Sequence, residues 1–158
     1  MTDKNAAADT YPLVNEKNVV LWKDYRVSVL ANRLFRIEKN KNKKFRDDAT
    51  QRVWYRNMPE QRFSVVKTEN YAKVKTDACE LLLAPEEENC AVTFGGVKRK
   101  ISNAGNLLGT ARTLDQCDGD LCYYNLFQED EVSVKPVELE NGVCSENGVA
   151  YFDDAASL

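Results

Sequence analysis

Apolar and polar residues alternate with a period of two along most of this chain, and no stretch sustains a helical apolar stripe over three turns. Tyr25, Val27 and Val29 alternate with Arg26 and Ser28, and a second run, Arg33-Leu-Phe-Arg-Ile-Glu38, follows Ala31-Asn32, a two-residue gap suited to closing a hairpin. Further strands are expected at Arg52–Tyr55, Arg62–Thr68, Tyr71–Lys75, Cys79–Ala84, Cys90–Phe94 and Val97–Ser102, then at Glu131–Val134, Val137–Leu139 and Val149–Phe152. Residues 77–83 give only a weak helical alternative. Polar breaks at Asn40–Lys44, Pro85–Asn89 and Asn141–Gly142 read as hairpin tips, and Gly95-Gly96 as a strand break or bulge. Short strands at roughly ten-residue intervals predict an all-β fold, an antiparallel β-sandwich.

Length and composition fit one domain. The chain has 158 residues, 43% of them apolar, enough for a core. The polar, Ala-rich start predicts a loose segment over residues 1–17, with a single sandwich domain over 18–158 and no internal repeat. A net charge of -3 argues against a general nucleic-acid binder. The basic run Lys39-Asn-Lys-Asn-Lys-Lys-Phe-Arg46 reads as a solvated hairpin tip, with phosphate binding as the sharper alternative. No run reaches the ~18 to 20 apolar residues of a membrane span, and the N-terminus lacks the apolar stretch of a secretory signal. The expected setting is cytoplasmic, without a membrane partner.

Candidate chemistry is sparse. There is no histidine, and the five cysteines (Cys79, Cys90, Cys117, Cys122, Cys144) contain no Cys-x-x-Cys, so structural zinc is not expected and free thiols are. No cofactor is implied. Asp47-Asp48 and Asp153-Asp154 are adjacent pairs, and neighbours on a strand point to opposite faces, unsuited to shared catalysis. Asp115, Asp118 and Asp120 share one loop, where turn formation is the plainer account and cation binding the sharper one. Among the aromatics, Trp54 and the pair Tyr123-Tyr124 are candidates for stacking on a sugar, against the plainer reading of core or interface packing. Arg112 reads as a surface residue, with a grip on a partner domain's carboxylate as the alternative.

Three blocks, in order, resemble one family. The first is Phe45-Arg-Asp-Asp-Ala-Thr-Gln-Arg-Val-Trp-Tyr-Arg-Asn-Met-Pro59, preceded by the strand–turn–strand run Tyr25–Glu38 with its Arg-Leu-x-Arg-Ile-Glu. The second is the loop Asn106-Leu-Leu-Gly-Thr-Ala-Arg-Thr-Leu-Asp-Gln-Cys-Asp-Gly119. The third is Gly142-Val-Cys-Ser-Glu-Asn-Gly-Val-Ala-Tyr-Phe-Asp-Asp154. Together they resemble the N-terminal region of glycoside hydrolase family 31. Thr50, Gln51, Val53, Trp54, Arg56 and Pro59 fit the first pattern; Asn106, Gly109, Asp115 and Gly119 are among those fitting the second; Gly142, Ser145, Gly148, Ala150, Asp153 and Asp154 fit the third. Ala49, Gln116, Val149 and Ala155 depart from it.

The resemblance implies a galactose-mutarotase-like β-sandwich that precedes a catalytic (β/α)8 barrel in an α-glucosidase or α-xylosidase. Retaining chemistry of that kind needs two carboxyl groups about 5 to 5.5 Å apart across a sugar, and in the family both lie in the barrel. The chain itself therefore carries no catalytic residue and no metal site. Its expected partners are the barrel of the same full-length protein and, through it, a carbohydrate substrate. Thr113, Asp115 and Asp118 are the residues expected to lean toward the active-site rim. The alternatives are a free-standing carbohydrate-binding module or a protein-interaction sandwich.

Overall fold

The computed structural model describes residues 10–50, 53–102, 105–109, 123–125, 130–132 and 141–154. These divide into two compact units: Met1–Ile101 with Asp153–Leu158, and the intervening Ser102–Phe152. Among the described residues there is no α-helix; 3₁₀ turns at Glu16–Asn18 and Glu87–Asn89 accompany the strands.

The first unit is an antiparallel sandwich of two sheets. Strands β1 (Val19–Trp22), β2 (Tyr25–Ala31) and β3 (Leu34–Lys39) form one sheet in that order. Strands β4 (Ser64–Lys67), β5 (Ala72–Lys75), β6 (Cys79–Leu83), β7 (Ala91–Phe94) and β8 (Val97–Lys100) form the other as a sequential meander. Period-two alternation puts Val20, Trp22, Tyr25, Val27 and Val29 on the inner face of the first sheet. They meet Ala72, Val74, Leu81 and Leu83 of the second, and Cys90 just ahead of β7, in one core. Each fully buried Val or Leu contributes roughly 1.5–3 kcal/mol by leaving water. The Trp22 indole N–H, which would be costly to bury unpaired, donates to the Thr68 carbonyl at 2.9 Å.

Turn chemistry sets the hairpins. Gly95 and Gly96 have φ of 57° and 77° and form the two-residue connection between β7 and β8. Both central residues left-handed is the turn whose twist matches paired strands, and only glycine enters it without strain. The pair thus breaks the run into two strands, as a hairpin turn and not a bulge. The β2–β3 turn falls on Asn32-Arg33, one residue later than the alternation predicts, because a register shift between Val29 and Ala31 absorbs an extra residue. Pro85–Asn89 does join two strands. Asn40–Lys44 instead leads into residues 45–50 and 53–63, which form no strand, and Asn141–Gly142 lies inside a strand. Val53–Tyr55 makes only an isolated bridge from Tyr55 to Tyr11, and residues 149–152 form no strand. The predicted strand Val137–Leu139 lies outside the described residues.

The second unit contains two strand pairs. Strand β9 (Asn106–Leu108) pairs antiparallel with β12 (Asn141–Ser145), and β10 (Tyr123–Asn125) with β11 (Asp130–Val132).

Candidate functional site

The outer face of the three-stranded sheet gathers charge where a solvated surface would be ordinary. Arg26, Arg36 and Glu38 share that face by register, Arg26 standing opposite Glu38 and Arg36 opposite Ser28. Ser28 and Leu30 on the same face are buried. β2 is therefore covered on both sides, and the irregular stretch from Phe45 onward supplies the cover. Arg26 Nε reaches Glu38 Oε2 at 2.6 Å, and Arg26 Nη1 reaches Asp47 Oδ1 at 2.7 Å. Arg36 Nη1 meets the same Glu38 oxygen at 2.8 Å. The Arg46 carbonyl accepts from both guanidinium groups, and its N–H donates to Glu38. Phe45 lies against the Arg26 guanidinium, ring centroid to Cζ 5.0 Å.

The network continues to Arg56, which is 0% exposed. Arg56 Nη1 donates to the Asp48 carbonyl at 2.6 Å, and Nη2 to Asp154 Oδ2 at 3.1 Å. The other Asp154 oxygen accepts from the Thr50 hydroxyl at 2.7 Å. Thr50 Oγ1 also accepts from the Val53 N–H. Three guanidinium groups (Arg26, Arg36, Arg56) thus face three carboxylates (Glu38, Asp47, Asp154), the balance a low-dielectric site requires. Burial favours a neutral Arg26, yet the hydrogen bonds it donates to Glu38 and Asp47 outweigh that and raise its pKa. At Arg36 burial wins, repulsion from Arg56 and Arg26 adds to it, and the pKa falls below the ordinary value. The same stretch is held at its far end by Asn18, fully buried, which donates to the Met58 and Pro59 carbonyls and accepts from the Gln61 N–H.

A smaller set of ties shapes the second unit. Asn106 Nδ2 donates to the Gly142 and Tyr151 carbonyls at 2.8 and 2.6 Å, and its Oδ1 accepts from the Tyr151 N–H. A Cβ on Gly142 would stand 3.1 Å from the Leu107 carbonyl and 3.3 Å from the Gly109 Cα, so close backbone approach explains the glycine at 142. Gly148 has a φ of 78° in the turn that follows β12. Thr50, Arg56, Asn106 and Asp154 accordingly work here as hydrogen-bonded ties, and Gly142 as a point of close backbone approach.

Other candidates fall elsewhere. Thr113, Asp115 and Asp118 lie outside the described residues, as do Arg112, Asp120, Cys117 and Cys122. Tyr123 and Tyr124 belong to β10. Trp54 is 43% exposed beside Tyr55, whose ring stacks on that of Tyr11 at 6.1 Å between centroids. Tyr11 is anchored by backbone bonds to Trp54 and Arg56. Among the described residues no group of three or more acidic or cysteine side chains could hold a metal. No helix there is long and apolar enough to cross a membrane. Cys79 and Cys90 are free and buried, Cys144 free and exposed.

Sequence reasoning did not anticipate the ionic network. The signal was present in Arg26, Arg36 and Glu38, charged residues on the alternate face of two strongly apolar strands. No family model matches the chain, and no curated protein does either. Fold and ties together define an all-β protein, an antiparallel sandwich with a charged seam.

Proposed function

We propose that this chain is the non-catalytic N-terminal β-sandwich region of a family 31 α-glycosidase, galactose-mutarotase-like in type. On this reading it buttresses the catalytic (β/α)8 barrel of the same cytoplasmic protein and walls its carbohydrate site. One observation carries the proposal: Thr50 and Arg56, two of the residues shared with the family pattern, are buried and tie down Asp154, a third. Glu38, Asp47 and Asp154 are all engaged by arginine. In a retaining glycosidase one carboxyl group must be free to attack and the other to give its proton.

Two measurements test it. The chain is expected to release no 4-nitrophenol from the α-glucoside or α-xyloside above the buffer rate, and turnover would end the non-catalytic reading. The transcript is expected to continue in frame past the codon for Leu158 into a barrel bearing two catalytic aspartates. A stop codon there would end the accessory-domain reading.

A free-standing carbohydrate-binding module is favoured by a separate observation, the exposed Tyr11, Trp54 and Tyr55 around one backbone bridge. It predicts quenching of tryptophan fluorescence by millimolar maltose, lost in Trp54→Ala.

A further inference from the structure

The three-stranded sheet ends on an unguarded strand. Among the described residues β1 pairs with β2 alone, and its sequence Val-Val-Leu-Trp carries no charge. The other three outer strands of the sandwich each bear lysine: Lys39 on β3, Lys67 on β4, Lys98 and Lys100 on β8. Charge of that kind normally discourages a further strand from pairing with an edge. The Lys23-Asp24 turn closes β1 on β2 with Trp22 opposite Tyr25. Antiparallel pairing alternates, so Val20 and Trp22 spend their backbone groups on β2 while the N–H and C=O of Leu21 face the open side.

Val19, Leu21 and Trp22 of β1 line a groove of about 660 Å³. Leu13, Val14, Leu21 and Phe45 make it apolar, and Leu21 is 56% exposed. Two cations, Lys23 and Lys43, also line it, against one carboxylate, Glu16, that has no arginine or lysine partner among the described residues. Arg26 and Asp47, at the same groove, neutralise each other. Neither lysine enters an ion pair among the described residues; Lys23 Nζ sits 5.2 Å from the centre of the Trp22 ring.

We propose that this edge and groove dock an extended peptide segment of a partner protein, which adds to the sheet beside β1. The segment is apolar at alternate positions and acidic where it passes Lys23 and Lys43. Main-chain hydrogen bonds to Leu21 supply affinity, and the apolar walls and lysines supply selectivity, the division seen wherever a strand is added to a sheet edge. Four residues of β1 span about 13 Å, so a short segment suffices. A second copy of the chain is the poorer fit, because its β1 brings no carboxylate to the two lysines.

The test titrates the ¹⁵N-labelled full chain with the peptide acetyl-Glu-Val-Thr-Val-Glu-amide. The Leu21 amide is expected to shift and its hydrogen exchange to slow. Lys23→Glu combined with Lys43→Glu is expected to weaken binding by about tenfold or more, by reversing two charges. The same peptide N-methylated at threonine is expected to lose binding to the unaltered chain, and this arm decides the matter if the double variant does not fold. No change at Leu21 at millimolar peptide would overturn the proposal. So would equal binding of the N-methylated peptide, or equal binding to a folded double variant. Leu21 protection that grows with chain concentration, without peptide, would assign the edge to a second copy and overturn it as well.

Discussion

Arg56 and Asp154 meet at 3.1 Å although 98 residues separate them in sequence, and the arginine is wholly buried. The Thr50 hydroxyl completes the carboxylate, so three residues from two distant motifs close one clasp. Its energetics differ from those of a surface pair. An exposed ion pair contributes about 0–1 kcal/mol, whereas removing one partner of a buried pair strands the other in low dielectric.

Asp154→Ala is therefore expected to lower the stability of the first unit by about 3–5 kcal/mol, read from urea unfolding followed by Trp22 fluorescence. Asp154→Asn keeps an acceptor for Thr50 and is expected to lose less. In a double-mutant cycle with Arg56→Met, the two changes together should cost clearly less than their sum. Additive losses would show that the two side chains do not depend on each other.

The core makes a more general prediction. Leu81 is fully buried between the sheets, and Leu81→Ala is expected to cost about 2–5 kcal/mol through lost transfer energy and a residual cavity. A loss below about 1 kcal/mol would mean that the two sheets do not enclose this side chain in solution.

Alkaline pH should weaken the sandwich through Tyr25. Burial, then its hydrogen bond with Cys90 Sγ and repulsion from Cys90, Glu87 and Glu86, hold the phenol well above its ordinary value of 10.0. The folded state thus binds this proton more tightly than the unfolded chain. The resulting stabilisation is complete below about pH 10 and is lost as pH rises from there toward the folded value. The urea midpoint is expected to fall above about pH 10, and Tyr25→Phe, which cannot ionise, to flatten that dependence. An unchanged slope in Tyr25→Phe would assign the alkaline loss to other groups.

Gly95 and Gly96 give a local test. Both occupy left-handed backbone with open space where a Cβ would stand, so substitution there meets conformational strain and no clash. Each single change to alanine is expected to cost about 1–2 kcal/mol. Asparagine, which tolerates that region, should cost less, and an equal loss for both would point to another cause.

Thiol reactivity separates the cysteines. Cys144 is expected to be alkylated by iodoacetamide in the native chain, while Cys79 and Cys90 react only on unfolding. Peptide mass mapping resolves the sites, and prompt labelling of Cys90 would contradict its place in the core.

The sandwich was legible because its signal is local. Val27, Val29, Val74 and Leu81 announce their face by alternation, and the strands from Ser64 to Lys100 fall within two residues of the pattern. What was hidden is tertiary. Nothing near Ala31-Asn32 reveals the extra residue that shifts the turn to Asn32-Arg33. Val53–Tyr55 has strand-like residues but no neighbouring strand beyond the Tyr11 bridge, so propensity went unused. The charged seam required knowing that the Phe45 stretch folds over Arg26 and Arg36, a long-range fact invisible to a periodicity. For the candidate site, motif positions such as Arg56 and Gly142 stood out, but their roles as tie and close contact appeared only with their partners.

The clasp also orders events in time. A chain emerging from the ribosome presents Thr50 and Arg56 about a hundred residues before their carboxylate exists. Until Asp154 arrives, the first sheet can form its hairpins, yet it holds a guanidinium whose counter-ion is still being synthesised. Completion of this fold is then tied to one late acidic side chain, and nascent chains halted before it should be the ones that chaperones retain.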